Sequence, residues 1–192
     1  MDKIRYIENI RERLAPQTFT TVDEIGNILT NHDHKEPIPD AYWNLSGAMF
    51  AYIFMDFSRL GIEAAGESQL VGYPTQFPDV SMMNWTNAKP NARFWVLSLL
   101  KNHFSPGDKL VSTSSSSRDV AAQGYLTAEG KELLVINKRM QEVSVTLPGD
   151  MSGARVGYVD GTTGDNPPGE TTLRGTTLSL KPFSVAVVTK KK

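Results

Sequence analysis

The chain contains no cysteine, which excludes disulfide bonds and thiolate chemistry. It has no excess of charge either, since 20 Lys and Arg residues stand against 21 Asp and Glu residues. A net charge of −1 offers no electrostatic footprint for nucleic acid or an anionic membrane. The longest apolar run, residues 48–55, is far shorter than the roughly 20 residues that cross a bilayer. We therefore expect no nucleic-acid partner and no membrane partner.

The N-terminal segment "MDKIRYIENIRERL" is charged and lacks the apolar core of a secretory signal. A cytoplasmic location is expected for the sequence as given, and a secreted or periplasmic parent protein is the alternative.

Motifs for cofactors and metals are also missing. There is no Gly-x-Ser-x-Gly elbow and no phosphate-binding glycine loop. His32 and His34 form a His-x-His pair, but it lies in a proline-flanked loop with no third ligand nearby. The acidic segment at residues 160–170, "DGTTGDNPPGE", lacks the spacing of an EF-hand and is expected to be a long hairpin loop. The sequence therefore predicts no metal and no cofactor.

Residues 1–108 alternate helix-like and strand-like segments. Apolar residues recur at helical spacing before Pro16, and a long apolar helix follows Asp40 and closes at Gly61. Strand-like runs are expected at 18–25 and 62–71, and a second long helix at 91–104. This order predicts parallel strands with helices packed outside them. Because two such units give only a few strands, this half is expected to belong to a larger α/β structure.

The sequence pattern changes in residues 109–192. A Ser- and Gly-rich segment at 105–117, "SPGDKLVSTSSSS", is expected to be a hinge. After it, about six or seven short alternating runs are separated by turn signals such as "AEG" and "PGD". This spacing predicts an antiparallel β-sandwich, whose own alternating pattern suggests that it could fold alone.

Four segments carry a family resemblance: "TFTTVDEIGNIL", "YPTQFPDVSMMNW", "KPNARFWVLSLLKNHFSPGDKLV" and "LSLKPFSVAVV". Together they resemble the last part of clan A glycoside hydrolases, with family 39 and its relatives as the nearest group. The resemblance covers essentially the whole chain. It implies a partial (β/α)8-barrel fragment at 1–108, α/β in class, followed by an all-β antiparallel sandwich at 109–192. The implied function is a glycosidase that acts on β-xylosides, arabinosides or glucosides.

The resemblance also implies a role for Glu24, which stands where the family's nucleophile stands, at the carboxyl end of the seventh barrel strand. A retaining glycosidase needs two carboxyl groups about 5–5.5 Å apart. Asp23, its neighbour on the strand, should point to the other face. From the residues alone, the two acids are equally a solvated strand end or a helix-capping pair. The family's general acid/base lies in an Asn-Glu motif, and this chain has no Asn-Glu dipeptide.

Four further residues are candidates for binding a saccharide. Trp85 and Tyr73 lie in the loop after the second strand, where aromatic faces could stack on sugars. Trp85 could equally plug the seam between the two halves. Glu67 and Gln69 could hydrogen-bond sugar hydroxyls, or they could belong to a turn.

The partial barrel also bears on association. Its strands carry open edges, and Phe50, Phe54 and Phe57 are expected to be exposed as an apolar patch. The sequence thus predicts a homo-oligomer completed through the barrel edges. The alternative to an enzyme is a non-catalytic carbohydrate-binding or structural, oligomerising module derived from one.

Overall fold

The computed structural model describes residues 1–29, 38–71, 78–84 and 87–191. The first part of the chain contains three helices and two short strands. In chain order these are α1 (Asp2–Leu14), β1 (Thr21–Ile25), α2 (Asp40–Leu60), β2 (Ala64–Glu67) and α3 (Ala92–His103). The two strands pair with each other in parallel, and a short 3-10 turn at Pro78–Val80 precedes α3. The predicted alternation of helices and parallel strands is confirmed.

Local sequence explains where the two long helices begin and end. Pro39 precedes α2 in an extended conformation, and Gly61 closes it in the left-handed conformation with φ of 68°. Asn91 caps α3, because its side-chain oxygen accepts a hydrogen bond from the backbone N–H of Arg93 at 3.0 Å.

The rest of the chain is antiparallel. A six-stranded sheet has the order β3-β4-β5-β10-β7-β8, and a two-stranded sheet contains β6 and β9. The strands are β3 (Lys109–Val111), β4 (Val120–Leu126), β5 (Gly130–Asn137), β6 (Val143–Thr146), β7 (Arg155–Val159), β8 (Gly169–Thr172), β9 (Thr177–Leu180) and β10 (Val185–Lys191). The predicted all-β second half is confirmed, and residues 160–168 connect the paired strands β7 and β8 as the expected hairpin loop.

The expectation of a hinge at 105–117 is wrong in part. Residues 109–111 form β3, which pairs with the first strand of the predicted sandwich, β4. The strand is only three residues long and all three residues are exposed, so it lacks the alternating burial pattern that reveals a strand in a sequence.

The six-stranded sheet is buried on both faces. On β5, Leu134 and Ile136 belong to a core shared with α2 and α3, whereas Val135 belongs to a second core under β6 and β9. The helices contribute Ala51, Met55, Val96, Leu99 and Leu100 to the first core. The molecule is thus layered as helices, large sheet and small sheet, and the helices serve as one wall of the sandwich.

The predicted exposure of the α2 phenylalanines is wrong. Phe50 and Phe57 are only 3% and 7% exposed, and Phe50 lies 4.8 Å from the guanidinium of Arg93 on α3. Phe54 is partly buried and stacks on Phe104. The two helices approach closely at Gly47, where an added Cβ would lie 2.8 Å from a methyl carbon of Val96.

The exposed apolar surface lies on α1 instead. Tyr6, Ile7 and Leu14 are 68%, 48% and 77% exposed. The helix is attached through its polar side: Arg5 binds the buried Asp56 at 2.6 Å, and the buried Glu8 accepts a hydrogen bond from the hydroxyl of Thr20. The apolar periodicity of α1 therefore marks a face that the described residues leave uncovered.

Across the described ranges, none of the helices has the length and apolar character needed to cross a bilayer.

Candidate functional site

Two glycines bring the carboxyl ends of β1 and β2 together. The ends meet at one edge because the strands are parallel. A Cβ added to Gly66 would lie 2.3 Å from the carbonyl oxygen of Asp23, and one added to Gly26 would lie 2.5 Å from Oγ of Ser68. Only glycine permits this approach, which places Glu24 beside the residues that follow β2.

A cleft of about 340 Å³ opens at this edge. Its walls are formed by the ends of both strands and by the turn before α3, with the residues Glu24, Gly26, Ile28, Ser68, Gln69 and Val80. Glu24 is exposed to solvent there, and Gln69 adopts a left-handed backbone with φ of 58°. The cleft therefore offers one carboxylate, one hydroxyl and one amide, a set suited to hydrogen-bonding hydroxyl groups.

Glu67 lies on the opposite face of the strands. It is paired in register with Ile25, and both residues line a larger cavity of about 670 Å³ on the helix side. Its Oε1 accepts a hydrogen bond from Nη2 of Arg93 at 2.7 Å. The sequence grouped Glu67 with Gln69 as saccharide ligands; the structure places only Gln69 in the cleft that Glu24 lines.

Arg93 is the centre of a polar network beneath the cleft. Its side chain is fully buried, Nη1 donates to the carbonyl oxygen of Asp79 at 3.0 Å, and its guanidinium lies 4.8 Å from the centre of the Phe50 ring. The hydroxyl of Tyr42 donates to the same Asp79 carbonyl at 3.0 Å. The carboxylate of Asp79 accepts the backbone N–H of Leu29. The network thereby ties the segment after β1 to α2 and α3.

The network is not fully satisfied. Among the described residues, Nε of Arg93 and Oδ1 of Asp79 are buried without a hydrogen-bond partner. Burial lowers the pKa of Arg93, and the carboxylate of Glu67 opposes that shift. Buried atoms of this kind are costly, which argues that the network is kept for its position under the cleft.

Burial also raises the pKa of Glu67 to about 7. The positive charge and hydrogen bond of Arg93 act in the opposite direction, and the negative charge of Glu24 adds to the rise. The carboxyl groups of Glu24 and Glu67, which lie at the paired strand ends, thus interact electrostatically. One of them, Glu67, changes charge near neutral pH.

Several predicted residues are not placed. Trp85, Tyr73, His32 and His34 lie outside the described residues. Within the described ranges, no three His, Asp or Glu side chains are grouped so that they could hold a metal ion. Sequence reasoning missed Arg93 and Asp79 as members of the network, although an arginine at the start of the apolar helix "ARFWVLSLL" was a usable signal.

Two comparisons with known proteins bear on this arrangement. Residues 117–188 match the family model of the D-apionate lactonase C-terminal immunoglobulin-like domain. The match lies in the β-sandwich and does not include the cleft. No curated protein matches the chain in sequence.

Solved structures share the fold over nearly the whole chain. A family 30 endoxylanase from Clostridium papyrosolvens C71 is 14% identical, with a TM-score of 0.64, and the alignment covers 96% of this chain and 45% of that one. A conserved exported protein from Bacteroides fragilis is 15% identical, with a TM-score of 0.68 and coverage of 95% and 41%. A family 86 glycoside hydrolase in complex with neoagarooctaose is 14% identical, with a TM-score of 0.66 and coverage of 96% and 32%.

The chain thus spans less than half the length of these solved structures. The expected fold class, α/β followed by an antiparallel β-sandwich, is confirmed, and the structural neighbours include glycoside hydrolases of families 30 and 86. The closer assignment to family 39 stays a prediction. The sandwich resembles the C-terminal immunoglobulin-like domain of D-apionate lactonase, and the likeness to the solved structures, at 14–15% identity, shows the fold alone.

Proposed function

We propose that the chain is the C-terminal part of a glycoside hydrolase, a partial (β/α)8 barrel at 1–108 with its sandwich at 109–192. Glu24 would be the nucleophile of a retaining mechanism on β-xylosides, arabinosides or glucosides. The observation that carries the proposal is the position of Glu24. It lies at the carboxyl end of a parallel strand, in a cleft that also contains Ser68 and Gln69. Catalytic groups of (β/α)8 enzymes occupy this end of the strands.

In such a reaction the carboxylate of Glu24 attacks the anomeric carbon, and the bond to the leaving oxygen breaks as the covalent sugar ester forms. A second carboxyl group protonates that oxygen and later activates the water that hydrolyses the ester. Among the described residues that line the cleft, Glu24 is the only acid. The proton donor would therefore come from polypeptide that completes the barrel, and the chain alone would act weakly on ordinary glycosides.

The experiment uses substrates that need no proton donor. We use the 2,4-dinitrophenyl 2-deoxy-2-fluoro glycosides of xylose, arabinose and glucose. Their dinitrophenolate group leaves without protonation, and the sugar ester that remains on the enzyme is hydrolysed slowly. We expect one of them to add its sugar mass to the tryptic peptide that contains Glu24. Glu24→Gln should abolish the labelling, and the isosteric Asp23→Asn should retain it. If the Glu24→Gln variant is labelled, or if the wild-type chain is not, the assignment of Glu24 as the nucleophile is contradicted.

A second candidate is a non-catalytic carbohydrate-binding or structural module. Two observations favour it: the cleft contains a single acid among the described residues, and the family match lies in the sandwich, which does not line that cleft. Isothermal titration with xylo-oligosaccharides distinguishes the two. Binding that survives Glu24→Gln and fails in Trp85→Ala or Tyr73→Ala, with no labelling, supports the module. Because the sandwich match is to a lactonase, the release of acid from a lactone of D-apionate belongs in the same assay series.

Association remains a proposal as well. Among the described residues, β1 and β2 pair only with each other and α1 exposes apolar side chains, and both observations support the predicted homo-oligomer. Light scattering coupled to gel filtration tests it, and a monodisperse monomer would count against it. One neighbour is described as an exported protein, so both cytoplasmic and secreted locations stay open for the parent of this chain.

A further inference from the structure

Glu24 and Glu67 lie on the two paired strands, on opposite faces of the sheet. Glu67 pairs in register with Ile25, the residue that follows Glu24. Side chains alternate between the faces along a strand, so Glu24 lines the cleft while Ile25 and Glu67 line the cavity on the helix side. The two carboxyl groups are therefore neighbours, separated by the thickness of the sheet.

Behind the sheet, Glu67 belongs to a buried cluster of charges. Arg93 is fully buried and binds Glu67 at 2.7 Å, and the negative charge of Asp79, which has no exposed surface, acts on the same guanidinium. One buried cation thus faces two carboxyl groups. Because a cation compensates only one negative charge, the cluster is best satisfied when one of the two carboxyl groups holds a proton.

Glu67 is the carboxyl group suited to hold that proton. Its side chain is 15% exposed and lines the cavity, so the proton can exchange with water there. Burial raises the pKa of Glu67 to about 7; the charge and hydrogen bond of Arg93 oppose the rise, and the charge of Glu24 adds to it. The negative charge behind the strand end therefore appears or disappears near neutral pH.

The groups around the pair of Glu67 and Arg93 come from several elements. Arg93 on α3 supplies the positive charge. Burial raises the pKa of Tyr42 to about 12, so its hydroxyl stays neutral near pH 7. The acidic groups are Glu24 on β1, Asp79 in the turn before α3, and Glu63 and Asp108 in the wall of the same cavity, where Asp108 accepts the N–H of Ser105 at 2.7 Å.

We propose that the charge of Glu67 controls the reactivity of Glu24: when Glu67 ionises, a negative charge behind the strand end makes the Glu24 carboxylate a stronger nucleophile. The inference rests on the proposed function and adds a positioning residue to it, since Glu67 lies behind the sheet and acts through Glu24. As Glu24 bonds to the anomeric carbon, the leaving group takes the electron pair of the broken bond, and the charge on Glu24 disappears. A like charge nearby favours that loss, so the step is faster when Glu67 is ionised.

The coupling is reciprocal, because two interacting charges affect each other by the same free energy. Removal of the charge on Glu24 must therefore lower the pKa of Glu67. This second consequence can be measured without any substrate.

The first experiment is a ¹³C NMR titration of the glutamate carboxyl groups of the full chain from pH 4.5 to 9, with Glu67 assigned through its backbone signals. In the wild type, the midpoint of Glu67 is expected near pH 7. In Glu24→Gln it should lie lower by about half a pH unit. The matched control is Glu129→Gln, which removes an exposed charge in the turn between β4 and β5, outside both cavities. It should leave the midpoint unchanged.

The second experiment measures how the rate of labelling by the 2,4-dinitrophenyl 2-deoxy-2-fluoro glycoside depends on pH. Because dinitrophenolate leaves without protonation, no proton donor enters this profile. We expect the rate constant to rise about twofold through about pH 7 in the wild type and in Glu129→Gln. In Glu67→Gln the rise should be absent. Circular dichroism confirms that each variant is folded, and Glu24→Gln, at an exposed side chain, tests the coupling if Glu67→Gln does not fold.

The outcomes separate this inference from the proposed function. If the midpoint of Glu67 is the same in Glu24→Gln and the wild type, or if the rise in labelling persists in Glu67→Gln, control by Glu67 is overturned and Glu24 keeps its role as nucleophile. If the wild-type chain is not labelled at any pH, the nucleophile is contradicted, and control of its reactivity falls with it even where the NMR titration shows that the two charges are coupled.

Discussion

Arg93 and Glu67 form an ion pair at 2.7 Å in which the guanidinium is fully buried and the carboxylate side chain is 15% exposed. The pair joins the first turn of α3 to the last residue of β2, directly behind the strand end that carries Glu24. A buried charge that loses its partner is costly, so the pair fixes the end of β2 even if its net contribution to stability is small.

Arg93→Met should therefore destabilise the fold by roughly 3–5 kcal/mol at pH 8, because it leaves the Glu67 carboxylate buried without a counter-charge. Urea unfolding followed by tryptophan fluorescence measures the change. The double variant Arg93→Met/Glu67→Gln should recover part of the loss. If the two single effects simply add, Arg93 stabilises the fold through Phe50 and Asp79 rather than through Glu67.

The raised pKa of Glu67 predicts a pH dependence of stability. Below about pH 4.5 the carboxyl is protonated in both the folded and the unfolded chain, so it contributes no difference. Between there and its folded pKa of about 7, the folded chain holds a proton that the unfolded chain has lost. The free energy of unfolding therefore falls with rising pH through this window, by at most roughly 3 kcal/mol, and levels off above it.

Glu67→Gln should flatten that part of the curve, whatever its effect on absolute stability. Chemical unfolding of the wild type and the variant at half-unit steps from pH 4 to 8.5 gives the difference between the two slopes. The control Glu63→Gln, at an exposed position, should follow the wild type. Parallel wild-type and Glu67→Gln curves would show that Glu67 keeps its ordinary pKa.

The sequence predicts the helices and strands of this fold better than it predicts which of their residues are buried. Glycine at 61 and asparagine at 91 mark helix ends through local backbone preferences, and the structure agrees at both places. Burial is different, because it depends on the partner. The phenylalanines of α2 were expected to be exposed, yet Phe50 lies against Arg93 of α3 and Phe54 stacks on Phe104, more than 40 residues later in the chain.

The candidate site, too, can be predicted from the sequence only in part. The resemblance placed Glu24 at the carboxyl end of a strand, and the structure has it there, while its role as nucleophile stays a prediction. The face on which Glu67 lies depends on strand register, and a shift of one residue reverses the face. The arginine at the start of an apolar helix was a usable signal for a buried charge, but the partners of Arg93 could not be predicted, because they lie in separate segments of the chain.

The close contact between Gly66 and the carbonyl oxygen of Asp23 leaves no room for a side chain at position 66. Gly66→Ala would place a Cβ 2.3 Å from that oxygen, so the two strand ends must separate. We expect a loss of about 1–3 kcal/mol in the free energy of unfolding. Saccharide binding at the Glu24 cleft should weaken with it, because the cleft is built from both strand ends.

Gly161→Ala is the matched control, since a Cβ at that position meets no atom within 4 Å. Thermal and urea unfolding of both variants test this prediction, and the control should stay within about 0.5 kcal/mol of the wild type. Equal stability of the two variants would mean that β1 and β2 can move apart freely.

The shared core makes a last prediction about the sandwich at 109–192. Its six-stranded sheet places Leu134, Ile136 and Val187, all with no exposed surface, against helices that lie before residue 104. A fragment that begins at Lys109 would turn this face to water, and apolar burial is worth about 25 cal/mol per Å². The fragment should therefore bind more of the dye ANS than the full chain and should aggregate more readily. Replacing Leu134 and Ile136 by threonine should reduce the aggregation of the fragment and destabilise the full chain, because the same side chains fill its core. A fragment that unfolds cooperatively as a soluble monomer would show instead that the second core, under β6 and β9, suffices to hold the sandwich.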